Sequence, residues 1–169
     1  RLENHSAQNW GERQSYQAKG WHPTPLMGAL AAAAACARLR KLDAAGVTSA
    51  LGLAAAQSSG ITASYGTMAK SMQVGKAAHT GILSARLAAN GMTAAKDVLD
   101  HAQGFLAALS PNGDLDLERP VRIGEHWHIV ERGLSIKRYP ACYCVHRLVD
   151  GALELAAKRP IAIDDIASI

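Results

Sequence analysis

Apolar positions along the first hundred residues recur at helical rather than strand spacing. From Leu26 to about Lys41 the chain is almost unbroken small and apolar residue, with Ala at 29, 31 to 35 and 37. It closes on Arg38, Arg40 and Lys41, cations that suit a helix C-terminus. Thr24 is the expected N-cap of this helix and Pro25 its first residue, where a missing N–H costs nothing. Asp43 caps a second predicted helix, Ala44 to Ser59, with Val47, Leu51, Ala54 and Ala55 on one face. So short a connection makes the two an antiparallel hairpin. A third helix is expected from about Lys76 to Asn90, with Ala78, Ile82, Ala85 and Ala89 in register and Asn90-Gly91 as its stop. Thr93 opens a shorter one through His101, and Gly104 to Leu109 forms a further apolar turn ended by Ser110-Pro-Asn-Gly-Asp114. Residues 1 to 9 fit the tail of a helix, with Gly11 and Gly20 as breakers behind it.

Between the second and third helices, Gly60 to Gly75 reads as a loop of small polar residues holding Tyr65, Met68, Lys70 and Met72. A loop of that length within a compact helical domain points to function rather than to a plain linker. After Leu115 the pattern changes. Trp127 to Val130 and Leu134 to Ile136 are short β-prone pieces, a helix follows from about Val145 to Lys158, and Ile161 to Ile169 reads as a strand. The fold class is therefore mainly α: a multi-helical core domain of Ala/Gly-rich packed helices over residues 1–133, followed by the beginning of an α+β layer over 134–169. Neither end carries the signature of a domain terminus, so the expected object is an internal piece of a longer protein.

Composition sharpens the helical reading. Hydrophobic residues make up 49% of the 169 positions but aromatics only 5%, and 15 are glycine. Small side chains in that excess suit helices whose backbones approach closely, whereas a β-sandwich draws on β-branched and aromatic residues. Charged residues are only 19%, which implies that part of the surface is covered by other protein. The formal net charge of +4 comes from scattered cations with no basic run interleaved with aromatics. Small anions fit such an arrangement; nucleic acid does not. The longest apolar run, Leu26 to Ala37, is too short to span a bilayer and no secretory signal is present, so no membrane role is expected. Three cysteines without framework spacing point to free thiols in a reducing, cytoplasmic setting.

Few residues carry chemistry. His22 stands between Trp21 and Pro23 at the mouth of the first helix, and Pro23 biases it away from helical backbone. A histidine there is placed for proton transfer beside an anion, although a purely structural histidine would leave the same letters. His126-x-His128 would put two rings on one face of a strand, but no third ligand stands at metal-site spacing, so no metal centre is expected. Cys142-x-Cys144 lacks redox spacing and reads as packing. There is no nucleophile elbow, phosphate loop or dinucleotide fingerprint. What remains is a set of cations and histidines, His22, Lys70, Lys137, Arg138 and His146, whose convergence on one pocket the spacing leaves open.

These letters resemble the MmgE/PrpD family. The likeness runs from Gly20-Trp21-His22-Pro23-Thr24 through Ala37-Arg-Leu-x-x-Leu-Asp43, Ala50-Leu-Gly-Leu-Ala54 and Gln57-Ser-Ser-Gly60. It continues through Gly66-Thr-Met-Ala-Lys70, Val74-Gly-Lys-Ala-Ala78 and Lys137-Arg-Tyr-Pro-Ala141 to His146. The resemblance implies a helical core domain with an α+β lid, a homodimer, an active site between the domains, and no metal or organic cofactor. It implies catalytic roles for His22, Lys70 and Lys137, and substrate-binding roles for Arg138, His146 and Lys76. The activity it implies is lyase chemistry on small di- or tricarboxylates, with dehydration of a 2-methylcitrate-like acid foremost and decarboxylation of cis-aconitate or epimerisation of iminodisuccinate as alternatives. Two positions depart from the pattern: Gln73 stands where several members have histidine, and Cys142 where the decarboxylase-like pattern has a second histidine. A non-catalytic helical module that docks a partner is the reading from another class.

Overall fold

The computed structural model describes residues 16–110, 124–125, 127–131, 133–159 and 162–168. The chain divides into two compact units, 1–120 and 121–169. The expected helix tail at residues 1–9, the stop at 111–114 and His126 lie outside the described residues.

The first unit is built on three helices, α1 (Pro23–Leu39), α2 (Ala44–Ala55) and α3 (Met68–Ala89), each packed against both others. Their contact faces are as small as the composition implies. α1 buries Leu26, Ala29, Ala33 and Ala37, one residue per turn along a single stripe. α3 answers with Ala77, Thr80, Gly81, Ser84 and Ala85. Gly81 is where the two backbones come closest: a Cβ there would lie 2.6 Å from the backbone N of Ala33. At the far end Ala37, Ala50 and Ala85 close the core, ringed by Cys36, Leu42, Val47 and Ala88. A second cluster joins Tyr16, Leu26 and Leu109, with Trp21, Met27 and Phe105 against it.

Most boundaries follow from the letters, and the exceptions have local causes. Asp43 caps α2 as expected, its carboxylate accepting from the Gly46 N–H at 2.8 Å. α1 begins two residues earlier than Thr24 suggests. His22 is the N-cap in extended backbone (φ −83°, ψ 110°) and Pro23 is the first helical residue. First-turn N–H groups need no helical acceptor, so Pro23 and Pro25 both fit inside the first turn and the cap moves back. α1 ends in a Schellman motif, with the Leu42 N–H on the Ala37 carbonyl (3.1 Å) and Lys41 in the left-handed region at φ 58°. α3 ends the same way through Gly91 at φ 87°. The expected Thr93–His101 helix is instead a run of turns folding back on α4 (Phe105–Leu109), where the Phe105 N–H reaches the Val98 carbonyl at 2.8 Å. Gly104 permits that close return, since a Cβ on it would meet the Val98 oxygen at 2.5 Å.

The largest departure is at the start of α3. The loop expected over Gly60–Gly75 closes at Thr67, and Lys70 and Lys76 both lie on the helix. Met68 to Gln73 are good or tolerable helix formers, and the exposed Gly75 is carried within the long helix at a modest cost.

In the second unit, α5 (His128–Glu131) and α6 (His146–Lys158) are the described helices, with 3-10 turns at Tyr143–Val145 and Ile163–Asp165. The strand expected over Trp127–Val130 is corrected to the turn of helix α5, held by Val130 and Glu131 N–H groups on the Trp127 carbonyl. The pieces at Leu134–Ile136 and at the C-terminal end likewise form no strand among the described residues. β-propensity expresses itself through cross-strand packing, and with no partner strand among the described residues a run as short as 127–130 satisfies its backbone locally.

Candidate active site

The site in the first unit is assembled by two backbone segments that meet edge to edge. Trp21 and Ile61 form an isolated antiparallel bridge. The His22 N–H donates to the Gly60 carbonyl (3.0 Å) and the Thr62 N–H to the Gly20 carbonyl (2.8 Å). Gly60 at φ 139° is needed for this approach, because a Cβ on it would fall 2.5 Å from Pro25 Cγ. The α1 N-terminus and the segment entering α3 are thereby fixed against each other, and the imidazole of His22 is set between them.

His22 is only 2% exposed. Its Nδ1 stands 2.7 Å from Gln73 Oε1, and the Gln73 amide Nε2 donates to the Ile61 carbonyl at 3.2 Å. The Tyr65 ring meets the imidazole edge to face at 4.9 Å. Lys70 Nζ lies over the other part of that site, 4.7 Å from the Tyr65 ring centroid, a cation–π contact. Burial raises the Tyr65 phenol above its ordinary value, so it stays neutral through physiological pH. His22 and Lys70, both expected from the sequence, thus share one aromatic platform. Tyr65 and Gln73 complete it. Gln73 was visible in the sequence as a departure from the family pattern, and its place beside Lys70 follows from i, i+3 spacing once α3 starts at Met68.

Lys76 is exposed on α3 at the rim of a cavity of about 80 Å³, whose wall it shares with Pro25, Ala29, Gln73 and Thr80. Among the described residues, no acidic side chain lines this cavity.

The second unit gathers its own group. Arg138 pairs with Asp150 at 3.2 Å, and the Tyr139 hydroxyl donates to the same carboxylate oxygen at 2.6 Å. That hydrogen bond, with burial second, raises the Tyr139 phenol above its usual value, while the Arg138 charge pulls it the other way. His146 is buried at the start of α6 between Tyr139 (5.3 Å) and Tyr143 (5.4 Å), and its Nε2 has no hydrogen-bond partner among the described residues. Lys137 Nζ donates to the Ala141 carbonyl at 2.8 Å, so the segment from 137 to 141 folds back on its own lysine. Among the described residues no three His, Cys, Asp or Glu side chains gather as a metal site, and no helix is long and apolar enough to cross a membrane. Cys36 and Cys144 are free thiols.

The family model for the MmgE/PrpD N-terminal domain matches residues 7–118. A cis-aconitate decarboxylase of Aspergillus terreus is 34% identical over 149 residues, 83% of this chain and 30% of the relative. The cis-aconitate decarboxylase-like protein oryM of Aspergillus oryzae is 30% identical over 160 residues, 89% of this chain and 33% of the relative. The human cis-aconitate decarboxylase is 31% identical over 134 residues, 79% and 27% of the two chains. The chain spans about a third of the length of these curated relatives, which carry the names of lyases. The chain belongs to the MmgE/PrpD family.

Proposed function

We propose that the complete protein is a lyase acting on a small di- or tricarboxylate, with His22 as the proton-transfer group and Lys70 and Lys137 as carboxylate-binding cations. The observation that carries this reading is the joint placement of His22 and Lys70 on Tyr65, at the N-terminus of a 17-residue helix. A helix N-terminus favours anions, and a fixed lysine beside an imidazole can hold a carboxylate while a proton moves at the adjacent carbon.

The names of the relatives favour decarboxylation of a cis-aconitate-like acid as the first reaction to consider. There the bond to CO₂ breaks, its electron pair stays on the substrate carbon, and an acid delivers the proton. Dehydration of a 2-methylcitrate-like acid is the second reading, favoured by Cys142 at a position where the decarboxylase-like pattern has histidine, while Gln73 stands where several family members have one. A base then removes the proton α to a carboxylate and water leaves from the neighbouring carbon. Both reactions pass through charge next to a carboxylate, which nearby cations stabilise. Arg138, His146 and Lys76 are proposed as further contacts to substrate, and a homodimer as the working assembly, checked by sedimentation of the complete protein.

The deciding experiment assays the complete protein on cis-aconitate, 2-methylcitrate and iminodisuccinate, with His22→Ala beside the wild type. Removal of a positioned acid–base group is expected to lower kcat by about 10²- to 10⁴-fold. Unchanged turnover of every one of these acids in His22→Ala would sink the assignment, and turnover of iminodisuccinate alone would replace lyase by epimerase chemistry.

A further inference from the structure

We infer that Gln73 is a positioning residue that locks His22 in the Nδ1–H tautomer and so reserves Nε2 as the proton-accepting atom; this rests on the reading of His22 as the acid–base group. A neutral imidazole carries its proton on one nitrogen, and the hydrogen bond made by the other partner decides which. The deciding partner here is an amide, whose two ends look alike in shape but not in chemistry. Only one orientation of Gln73 satisfies both of its neighbours. Its NH₂ must face the Ile61 carbonyl (3.2 Å), because a carbonyl oxygen only accepts. Its Oε1 must then face His22, and an acceptor 2.7 Å from Nδ1 requires a proton on Nδ1. Reversing the amide would set two oxygens against each other at Ile61.

The relay is anchored in backbone at both ends. The His22 N–H is tied to Gly60 and the neighbouring Ile61 carbonyl receives Gln73, so the ring and its partner are mounted on the same bridge of chain. Tyr65 blocks rotation of the ring edge-on, and the ring is buried. With Nδ1 committed as a donor, Nε2 of the neutral ring is the nitrogen with a lone pair to offer. Glutamine is a neutral acceptor. It fixes the tautomer without the extra negative charge that an aspartate or glutamate would add beside an anionic substrate.

Two readouts test this, and they fail separately from the lyase reading. The first is nitrogen NMR of the labelled complete protein without substrate, which reports the protonated ring nitrogen directly. Wild type is expected to show His22 protonated on Nδ1 at neutral pH, and Gln73→Leu to shift toward Nε2–H or a mixture. A wild-type His22 protonated on Nε2, or a Gln73→Leu spectrum unchanged at His22, overturns the inference whatever the enzyme turns over. The second is the pH profile of kcat/KM on whichever carboxylate is turned over. Gln73→Glu keeps an acceptor on Nδ1 but adds a charge, and an opposite charge at this range shifts a titration by about one unit or more, so the limb set by His22 (the acid limb where it acts as base, the alkaline limb where it acts as acid) is expected to move to higher pH. Gln73→Leu is expected to lower kcat by about 10- to 100-fold, by analogy with loss of the partner that orients a metal-bound imidazole, and Gln73→Glu to recover part of it. Equal loss in both variants with the limb set by His22 unmoved would make Gln73 merely structural. A correct tautomer in a protein that turns over no carboxylate would instead leave the inference standing and remove the lyase proposal.

Discussion

At the scale of single residues, one aromatic ring holds an imidazole and an ammonium side by side. Tyr65 meets the His22 ring at a steep angle and carries the Lys70 ammonium over its own ring, so it restrains both without an opposing charge. A carboxylate partner for Lys70 would have held it as firmly, but would also have consumed the charge that an anionic substrate needs. Replacement by leucine keeps bulk and loses the quadrupole that attracts the ammonium. Tyr65→Leu is therefore expected to raise KM for a carboxylate substrate about 5- to 10-fold, in line with a cation–π contact of about 1 kcal/mol, while Tyr65→Phe stays within about twofold of wild type. Steady-state kinetics on the two variants checks this; equal effects of Leu and Phe would show that the hydroxyl, and not the ring face, does the work. His22 could be singled out from sequence because Trp21 and Pro23 pin it beside a helix start. Tyr65 could not, since nothing in the letters distinguishes it from an exposed loop tyrosine until the Trp21–Ile61 bridge brings its segment to the imidazole.

At the scale of elements, small residues decide how closely helices approach and terminal residues decide where they stop. Gly81 lies against the backbone of Ala32 and Ala33, so the α1–α3 distance is set by the absence of a side chain. Gly81→Ala is expected to destabilise by about 1–3 kcal/mol through overpacking, read as a lower midpoint in denaturant. Lys41 presents the opposite case. It holds the left-handed position of a Schellman motif that glycine fills more easily, so Lys41→Gly is expected to stabilise by about 0.5–1 kcal/mol. If both variants shifted stability in one direction, the assignment of these two positions would be wrong. The sequence made the packing style, the Asp43 cap and the Asn90-Gly91 stop legible, because each is a local rule acting on neighbouring residues. It was misleading at Gly75 and at Trp127–Val130. Gly75 marks no boundary because the helix formers on both sides outweigh one exposed glycine, and the β-branched pair Ile129-Val130 has no strand to pair with among the described residues.

At the scale of the whole molecule, the two units share an alkaline vulnerability that their helices alone would not suggest. Tyr16, in the cluster with Leu26 and Leu109, and Tyr65 have phenols raised by burial, and Tyr139 has one raised chiefly by its bond to Asp150. In each the folded state holds its proton more tightly than the unfolded chain, whose phenols titrate near 10.0. Below that pH both states are protonated and the contribution to stability is fully present. As pH rises above it the unfolded chain ionises first, stability falls, and the loss is complete once the pH has passed the folded values. Thermal melts of the protein are therefore expected to show a loss of midpoint that sets in above about pH 10 on account of these phenols. Tyr16→Phe keeps the ring in the core and removes its ionisation, so its midpoint should fall less steeply over that range than wild type. Tyr139→Phe also removes a hydrogen bond to a carboxylate, so it should cost stability at neutral pH as well. A wild-type midpoint indifferent to pH between 9 and 12, or a Tyr16→Phe variant that loses stability as steeply as wild type, would show that burial of the Tyr16 phenol plays no part in the alkaline limit.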